Sequence, residues 1–86
     1  MSSRGFENVP PKYRRKAEAQ LEVLGRTIQE RREHLNLTQE QLAERLNISV
    51  AMVQYIEQQR RVPSLKVLLA ACAALDLQFS LKPERK

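Results

Sequence analysis

The segment from residue 37 to residue 57 constrains the fold more than any other part of the chain. It holds two short amphipathic stretches, and each follows a hydroxyl residue that can cap a helix, Thr38 or Ser49. Gln41 lies three residues after Thr38, as in a capping box, and Asn47 can end the first stretch. The pattern predicts two helices joined by a three-residue turn. The agreement of caps, spacing and turn length favours a helix-turn-helix over a generic helical hairpin.

Apolar spacing and capping residues also predict the other helices. The helix before the turn carries four apolar residues on one face: Leu21, Leu24, Ile28 and Leu35. Residues 12–20 favour a helix as well, with Gly25 as a weak point between the two stretches. After Pro63-Ser64, residues 65–75 are apolar on nearly all sides, which predicts a core helix covered on more than one side. We therefore expect an all-α bundle of four to five helices.

The hydrophobic period changes after Asp76. Apolar residues alternate with polar ones over residues 77–82, which predicts one half-buried β-strand carrying Leu77, Phe79 and Leu81 on the same face. A lone strand needs a pairing partner, and the simplest is the same strand of a second copy, antiparallel about a two-fold axis. The sequence therefore predicts a homodimer with a shared two-stranded sheet.

The net charge of +5 is concentrated at the two ends of the chain. Residues 1–20 contain five basic and two acidic residues, and residues 82–86 contain three basic and one acidic residue. We expect a basic, partly disordered extension at 1–19, a helix-turn-helix domain at 20–76, the dimerisation strand at 77–82 and a basic tail at 83–86. Basic ends beside a DNA-reading motif favour contacts with phosphates, although they are also typical of solvated tails.

The second helix of the motif is the expected reader of the major groove. Gln54 can bond adenine bidentately, and the apolar residues at the start of the helix can pack on thymine methyl groups. The predicted base-reading residues are Ser49, Val50, Ala51, Gln54 and Tyr55. The predicted contacts with the DNA backbone are Gln39, Arg45, Gln58, Arg60 and Arg61. An ordinary polar helix surface is the alternative for both sets.

The other polar residues indicate structure rather than chemistry. Arg32 interrupts the apolar face of the first helix and Glu57 lies on an inner face, so we expect a salt bridge between them. His34 has no neighbouring metal-ligand pattern, and Cys72 lies in an apolar stretch typical of a core. We expect no enzyme, metal or cofactor. The absence of a long apolar run or a signal-peptide pattern favours a cytoplasmic protein. With a DNA-reading motif, we expect it to be associated with the nucleoid.

Residues 21–82 resemble the XRE/Cro-C1 family of helix-turn-helix proteins. The matching positions are Leu21, Leu24, Gly25, Ile28, Arg32, residues 37–43, Ile48, Ser49, Val53, Ile56, Glu57 and residues 63–65. The resemblance implies a lambda-repressor-like fold, the Arg32–Glu57 pair and a transcriptional repressor that binds an inverted-repeat operator in double-stranded DNA. It also implies a phosphate contact from Gln39, and base or nearby phosphate contacts from Ser49, Val50, Ala51, Gln54 and Tyr55.

The ending at residues 75–83 is similar to the HipB-type branch of that family. This branch implies an autoregulating antitoxin of a toxin–antitoxin operon whose partner is a HipA-like kinase toxin. Two alternatives stay open: a protein-interaction module that inhibits a kinase-like partner by direct contact, and a phage or restriction-modification regulator. The latter class usually dimerises through a further helix, and the strand at 77–82 argues against it.

Overall fold

The structure, a computed structural model, describes residues 6–59 and 63–84. Within these residues the chain forms four α-helices and no strand. The helices are α1 (Pro11–His34), α2 (Gln39–Leu46), α3 (Val50–Gln58) and α4 (Leu65–Ala74). The predicted all-α helix-turn-helix bundle is confirmed, and residues 47–49 form the short turn between α2 and α3.

Each of the last three helices begins at a hydroxyl cap. The Thr38 Oγ1 accepts a hydrogen bond from the Gln41 backbone N–H at 3.0 Å, and the Gln41 Oε1 accepts one from the Thr38 N–H at 2.8 Å. This confirms the predicted capping box. The Ser49 Oγ accepts from Met52 N–H at 3.1 Å, and Ser64 caps α4 in the same way. The caps satisfy backbone donors that a helix cannot satisfy internally.

All four helices are followed by a residue with left-handed backbone geometry. These residues are Asn36, Asn47, Gln59 and Asp76, with φ between 56° and 58°. After α1, the Leu37 N–H returns to the Arg32 carbonyl at 3.0 Å, and after α4 the Leu77 N–H returns to Cys72 at 2.8 Å. This six-to-one bond is the Schellman arrangement, which ends a helix sharply and turns the chain back over the core.

The core lies between the helices that pack on one another. Helix α1 packs on α3, α2 packs on α3, and α2 packs on α4. The buried apolar residues are Ile28, Leu42, Ala43, Val53, Ile56, Leu68, Ala71, Cys72 and Leu75. Helix α3 therefore has one face fixed between α1 and α2, and its opposite face is left at the surface.

Helix α1 is continuous through Gly25, so the weak point expected there is wrong. Gly25 is buried, and a Cβ atom on it would lie 2.6 Å from the Ile56 carbonyl oxygen and 2.7 Å from the Gln59 Nε2. The glycine permits a close crossing of α1 over the end of α3 instead of breaking the helix. The predicted boundary between residues 19 and 20 falls inside this helix.

The segment before α1 is held by Arg14. Its guanidinium donates to three backbone carbonyls: Nε to Phe6 at 3.1 Å, and Nη2 to Val9 at 3.0 Å and Glu7 at 3.2 Å. Five N–H donors in a fixed fork allow one arginine to hold several carbonyls at once. Residues 6–9 consequently form a turn against the first turn of the helix rather than a free end.

Helix α4 is less covered than its sequence predicts. Leu68, Ala71 and Cys72 are buried, but Leu65 and Leu69 are 61% and 41% exposed. The other helices therefore cover α4 on one side. The expectation that it would be covered on more than one side is wrong for a single chain.

The C-terminal segment after α4 has no regular secondary structure over residues 77–84. Leu77 packs against the core, and the Glu84 carboxylate accepts from the Lys16 ammonium at 2.6 Å. The segment thus returns along α1 toward its N-terminal half. The predicted strand stays a prediction, since a strand is defined by a pairing that one copy does not supply.

Candidate nucleic-acid interface

Helix α3 and its capping residue present three kinds of surface. Val53, Ile56 and Glu57 are buried, and Val50, Met52 and Tyr55 are half-buried. The exposed residues are Ser49, Ala51, Gln54 and Gln58. Ala51, Gln54 and Gln58 recur at three- and four-residue spacing, so they share one face of the helix. This exposed face is the surface that α3 offers to a ligand.

The residues predicted to read bases are not equally available. Ala51 and Gln54 are exposed, whereas Val50 packs partly against the core and leaves only part of its side chain at the surface. Tyr55 is half-buried on the neighbouring face. Ser49 is exposed, but its oxygen already accepts the capping bond from Met52. Gln54 is therefore the predicted base-reading residue whose polar side chain is most accessible.

Arg32 and Glu57 form a buried ion pair between α1 and α3. The Arg32 Nε donates to Glu57 Oε2 at 2.6 Å, and Nη2 donates to Oε1 at 3.1 Å. The Arg32 Nη1 also donates to the Leu37 carbonyl at 2.7 Å, which fixes the chain where it leaves α1. The hydrogen bond with Glu57 raises the pKa of Arg32, so the guanidinium stays charged. Paired and hydrogen-bonded, the two charges meet the condition for burial.

Gln39 connects this ion pair to the surface. Its Nε2 donates to Glu57 Oε1 at 3.0 Å, and its Oε1 accepts from the Gln54 Nε2 at 3.4 Å. The four side chains form a continuous path, Arg32–Glu57–Gln39–Gln54, which we name the amide relay. It begins in the core and ends on the exposed face of α3.

The relay fixes which way the Gln54 amide points. An ionised carboxylate only accepts, so Glu57 requires the Gln39 NH₂ group on its side. The Gln39 oxygen then faces Gln54 and requires the Gln54 NH₂ group in turn. One N–H of Gln54 is used, and its second N–H and its carbonyl oxygen are left for a ligand. That is the donor–acceptor pair that matches the N7 and N6 atoms of adenine.

The residues predicted to contact the DNA backbone lie in different environments. Gln39 is half-buried and held by Glu57 and Gln54, a positioning role that sequence spacing does not show. Arg45 is exposed in the last turn of α2, and Gln58 is exposed at the end of α3. Arg60 and Arg61 lie outside the described residues. The structure therefore brings Gln39 and Gln54 together and places Arg45 and Gln58 at the surface.

Arg31 also has a role in the framework of the site. The Arg31 Nε donates to the Leu75 carbonyl at 2.8 Å, which ties α1 to the end of α4. The sequence signal for this bond is that Arg31, together with Arg32, fills the gap in the apolar face of α1. Burial raises the pKa of the Cys72 thiol, which keeps it protonated at neutral pH. His34 is exposed at the end of α1.

Within residues 6–59 and 63–84, no group of three or more His, Cys, Asp or Glu side chains is arranged to hold a metal ion. None of the helices in the same part of the chain is both long enough and apolar enough to span a membrane.

A helix-turn-helix family model matches residues 28–81, more than half of the chain. The match begins at the buried Ile28 and includes the amide relay, α2, α3 and α4. The chain belongs to the XRE-type helix-turn-helix family, which is a family of DNA-binding regulators and not of enzymes. No curated protein and no solved structure matches the chain significantly. Family and geometry together indicate a sequence-specific DNA-binding regulator.

Proposed function

We propose that the chain is a dimeric transcriptional repressor that binds an inverted-repeat operator and regulates its own operon as a HipB-type antitoxin. It would act on the nucleoid in the cytoplasm. Helix α3 enters the major groove, where Ser49, Val50, Ala51, Gln54 and Tyr55 meet base edges or nearby phosphates. Two copies of α3 reach successive major grooves about 34–36 Å apart.

The observation that carries this proposal is the amide relay. An exposed glutamine is common on a helix surface, but here its amide is oriented by a buried ion pair through Gln39. A glutamine with a fixed amide loses less side-chain entropy on binding and rejects bases with the opposite polarity. An oriented Gln54 is what direct readout of adenine requires.

The contacts that set overall affinity are assigned to other residues. The remaining N–H of Gln39 contacts the DNA backbone beside the N-terminus of α2, where the helix dipole favours a phosphate. Arg45, Gln58, Arg60, Arg61 and the basic ends add contacts that carry no base preference. The HipA-like kinase toxin is the proposed protein partner, and it rests on the similarity of residues 75–83 to the HipB branch.

Selection from a randomised duplex library tests base readout, with Gln54→Ala compared against Gln58→Ala. Gln54→Ala should lose its preference at one base pair of each half-site by about 1–3 kcal/mol. Gln58→Ala is the matched control, because it removes the same side chain four residues along the same face. It should lower affinity for all sequences alike. Failure of the wild-type chain to select any sequence contradicts the proposal.

The antitoxin role has its own test. The chain should co-purify with the protein encoded by the neighbouring reading frame and suppress that protein's toxicity when the two are co-expressed. Suppression that persists in Gln54→Ala shows direct neutralisation, separate from operator binding. A neighbouring protein that neither binds the chain nor is toxic contradicts the antitoxin role and leaves the repressor role intact.

A further inference from the structure

The last turn of α3 carries Gln58, one of the residues proposed to contact the DNA backbone. Gln58 is the final residue of the helix, and it is exposed on the same face as Ala51 and Gln54. A helix end leaves carbonyl groups without partners inside the helix, and the last turn is the part that opens most easily. The contact from Gln58 therefore depends on what holds this turn closed.

Gln59 ends α3 in a backbone conformation that glutamine rarely adopts. Its φ of 56° and ψ of 34° lie in the left-handed region, where a Cβ atom crowds the following carbonyl oxygen. The other left-handed residues are asparagine or aspartate, whose short polar side chains tolerate this geometry: Asn36, Asn47 and Asp76. Glutamine has a longer side chain, so the conformation of Gln59 must be held by other contacts.

The side chain of Gln59 reaches back to the helix that it ends. Its Nε2 donates to the Glu57 carbonyl oxygen at 2.8 Å, and this carbonyl is one of those that α3 cannot satisfy internally. The Gln59 backbone N–H donates to the Tyr55 carbonyl oxygen. Gln59 therefore closes the last turn twice, once with its backbone and once with its side chain.

Gly25 on α1 makes room for this side chain. A Cβ atom at position 25 would lie 2.7 Å from the Gln59 Nε2 and 3.4 Å from the Gln59 Cγ, so the side chain packs directly over the glycine. Gly25 is buried and Gln59 is half-buried. A larger residue at position 25 would displace the Gln59 amide. The side chain of Gln59 is thus fixed relative to both α1 and α3.

We infer that Gln59 is a positioning residue for DNA binding, because its side chain, packed over Gly25, holds the last turn of α3 so that Gln58 reaches the DNA backbone. The inference rests on the proposed function, in which Gln58 makes that contact, and it names what orders the contact. A turn that is ordered before binding loses less entropy when Gln58 meets a phosphate. A backbone contact carries no sequence information, so the effect is on affinity and not on base preference.

The residue type at position 59 supports a role beyond ending the helix. Glycine would adopt the left-handed conformation without strain and would keep the backbone bond to Tyr55. Glycine would lack the amide that lies over Gly25 and bonds the Glu57 carbonyl. Glutamine therefore combines a strained backbone with a closed last turn, and local strain of this kind is typical of functional sites.

Gln59→Gly separates positioning from stability. The free energy of unfolding should stay close to the wild-type value, because relief of the left-handed strain offsets the lost hydrogen bond. Affinity for the duplex that the wild-type chain selects should nevertheless fall about three- to tenfold, because Gln58 must then be ordered on binding. The base preference contributed by Gln54 should not change. Electrophoretic mobility shifts on this duplex and its single-base variants measure both quantities.

Asn47→Gly is the matched control. Asn47 ends α2 with the same φ of 56° and is exposed, so the substitution makes the same backbone change at a neighbouring helix end. It leaves the last turn of α3 intact, and affinity should stay within about twofold of wild type. Circular dichroism and urea denaturation check that both variants keep their helices and their stability.

Hydrogen exchange tests the closure of the last turn without DNA. In Gln59→Gly, the backbone amides of Glu57 and Gln58 should exchange at least about threefold faster than in the wild type, because the last turn opens more often. The amide of Val53, in the middle of α3, should exchange at the wild-type rate. Equal exchange of Glu57 and Gln58 in the two proteins overturns the inference, whatever the DNA affinity.

A double-mutant cycle tests whether Gln59 acts through Gln58. In the Gln58→Ala background, Gln59→Gly should change affinity by less than about twofold, because the side chain that Gln59 positions is already gone. A loss as large as in the wild-type background means that Gln59 acts on a different contact, and it overturns the inference.

Failure of the inference and failure of the proposed function give different results. A wild-type chain that selects a duplex, with a Gln59→Gly variant that binds it equally well, overturns the positioning role and leaves the repressor role intact. A loss of affinity in Gln59→Gly that accompanies a loss of stability also overturns it, because the role is then structural alone. A wild-type chain that selects no sequence contradicts the proposed function, and with it any role of Gln59 in DNA binding.

Discussion

The helix-turn-helix formed by α2 and α3 differs from the two chain ends in how far one chain pairs its polar groups and covers its apolar ones. Around α2 and α3 the helix starts are capped, the buried charges are paired and the apolar faces are covered. At the two chain ends Val23, Phe79 and Leu81 are exposed, and the backbone of residues 78–84 makes no hydrogen bond to the backbone of the described residues. The exposed face of α3 is therefore fixed by the folding of a single chain, whereas apolar side chains at the two chain ends stay exposed in that chain.

The largest expected effect comes from removing one member of the buried ion pair that joins α1 to α3. Glu57→Ala should lower the free energy of unfolding by about 3–5 kcal/mol, because Arg32 is left buried without its partner. Urea denaturation measures this. The double variant Arg32→Met, Glu57→Leu is the control and should recover most of the loss, since neither charge remains. A stability loss in the double variant as large as in Glu57→Ala alone contradicts this account.

The next effect lies at Gly25, where α1 crosses the end of α3. Gly25→Ala should destabilise the fold by about 1–3 kcal/mol, because the new Cβ meets the Ile56 carbonyl and the helices must separate. Glu22→Ala, at an exposed position one turn earlier, is the control and should change stability by less than about 0.5 kcal/mol. Thermal unfolding distinguishes them. A more stable Gly25→Ala variant shows that helix propensity outweighs the close contact.

A smaller effect is expected from removing the hydrogen bond that links α2 to the exposed face of α3. Gln39→Ala should reduce the base preference contributed by Gln54 by about 1 kcal/mol, because the Gln54 amide loses its orienting partner. The same change should matter little once Gln54 is alanine. A double-mutant cycle on operator and single-base variants measures this coupling. Additive effects of the two substitutions show that Gln39 acts on DNA independently of Gln54.

The smallest effect is expected at the ends. Lys16→Ala removes an ion pair whose side chains are 60% and 72% exposed, so the free energy of unfolding should fall by less than about 0.5 kcal/mol. Chemical denaturation in dilute solution measures this loss. A loss as large as that expected for Gly25→Ala would contradict this account, because it would mean that the exposed ion pair stabilises the chain as much as the close crossing of α1 and α3.

Local signals predicted most of the fold. The caps at Thr38, Ser49 and Ser64 involve residues three positions apart, which sequence spacing determines. The Arg32–Glu57 contact follows from a general rule, because two charges on inner faces of neighbouring helices require each other. The family match over residues 28–81 agrees with the resemblance that these positions carry.

The features that sequence did not predict depend on how elements meet. The same glycine at position 25 either weakens a helix or permits a close crossing, and only the position of Ile56 decides between them. The contacts of Gln39 join α2 to α3, and the bonds of Arg14 join a helix to a turn that has no sequence pattern. The exposure of Leu65 and Leu69 depends on how many sides of α4 one chain can cover.

The amide relay also limits how operator recognition can evolve. Any residue that replaces Gln54 faces the carbonyl oxygen of Gln39, so side chains that donate a hydrogen bond are accepted there and acidic ones are not. An arginine satisfies that oxygen and still reaches guanine, whereas a glutamate would place acceptor against acceptor. In the proposed binding mode, the buried Glu57 thereby restricts the set of operator sequences that descendants of this chain can acquire by a single substitution.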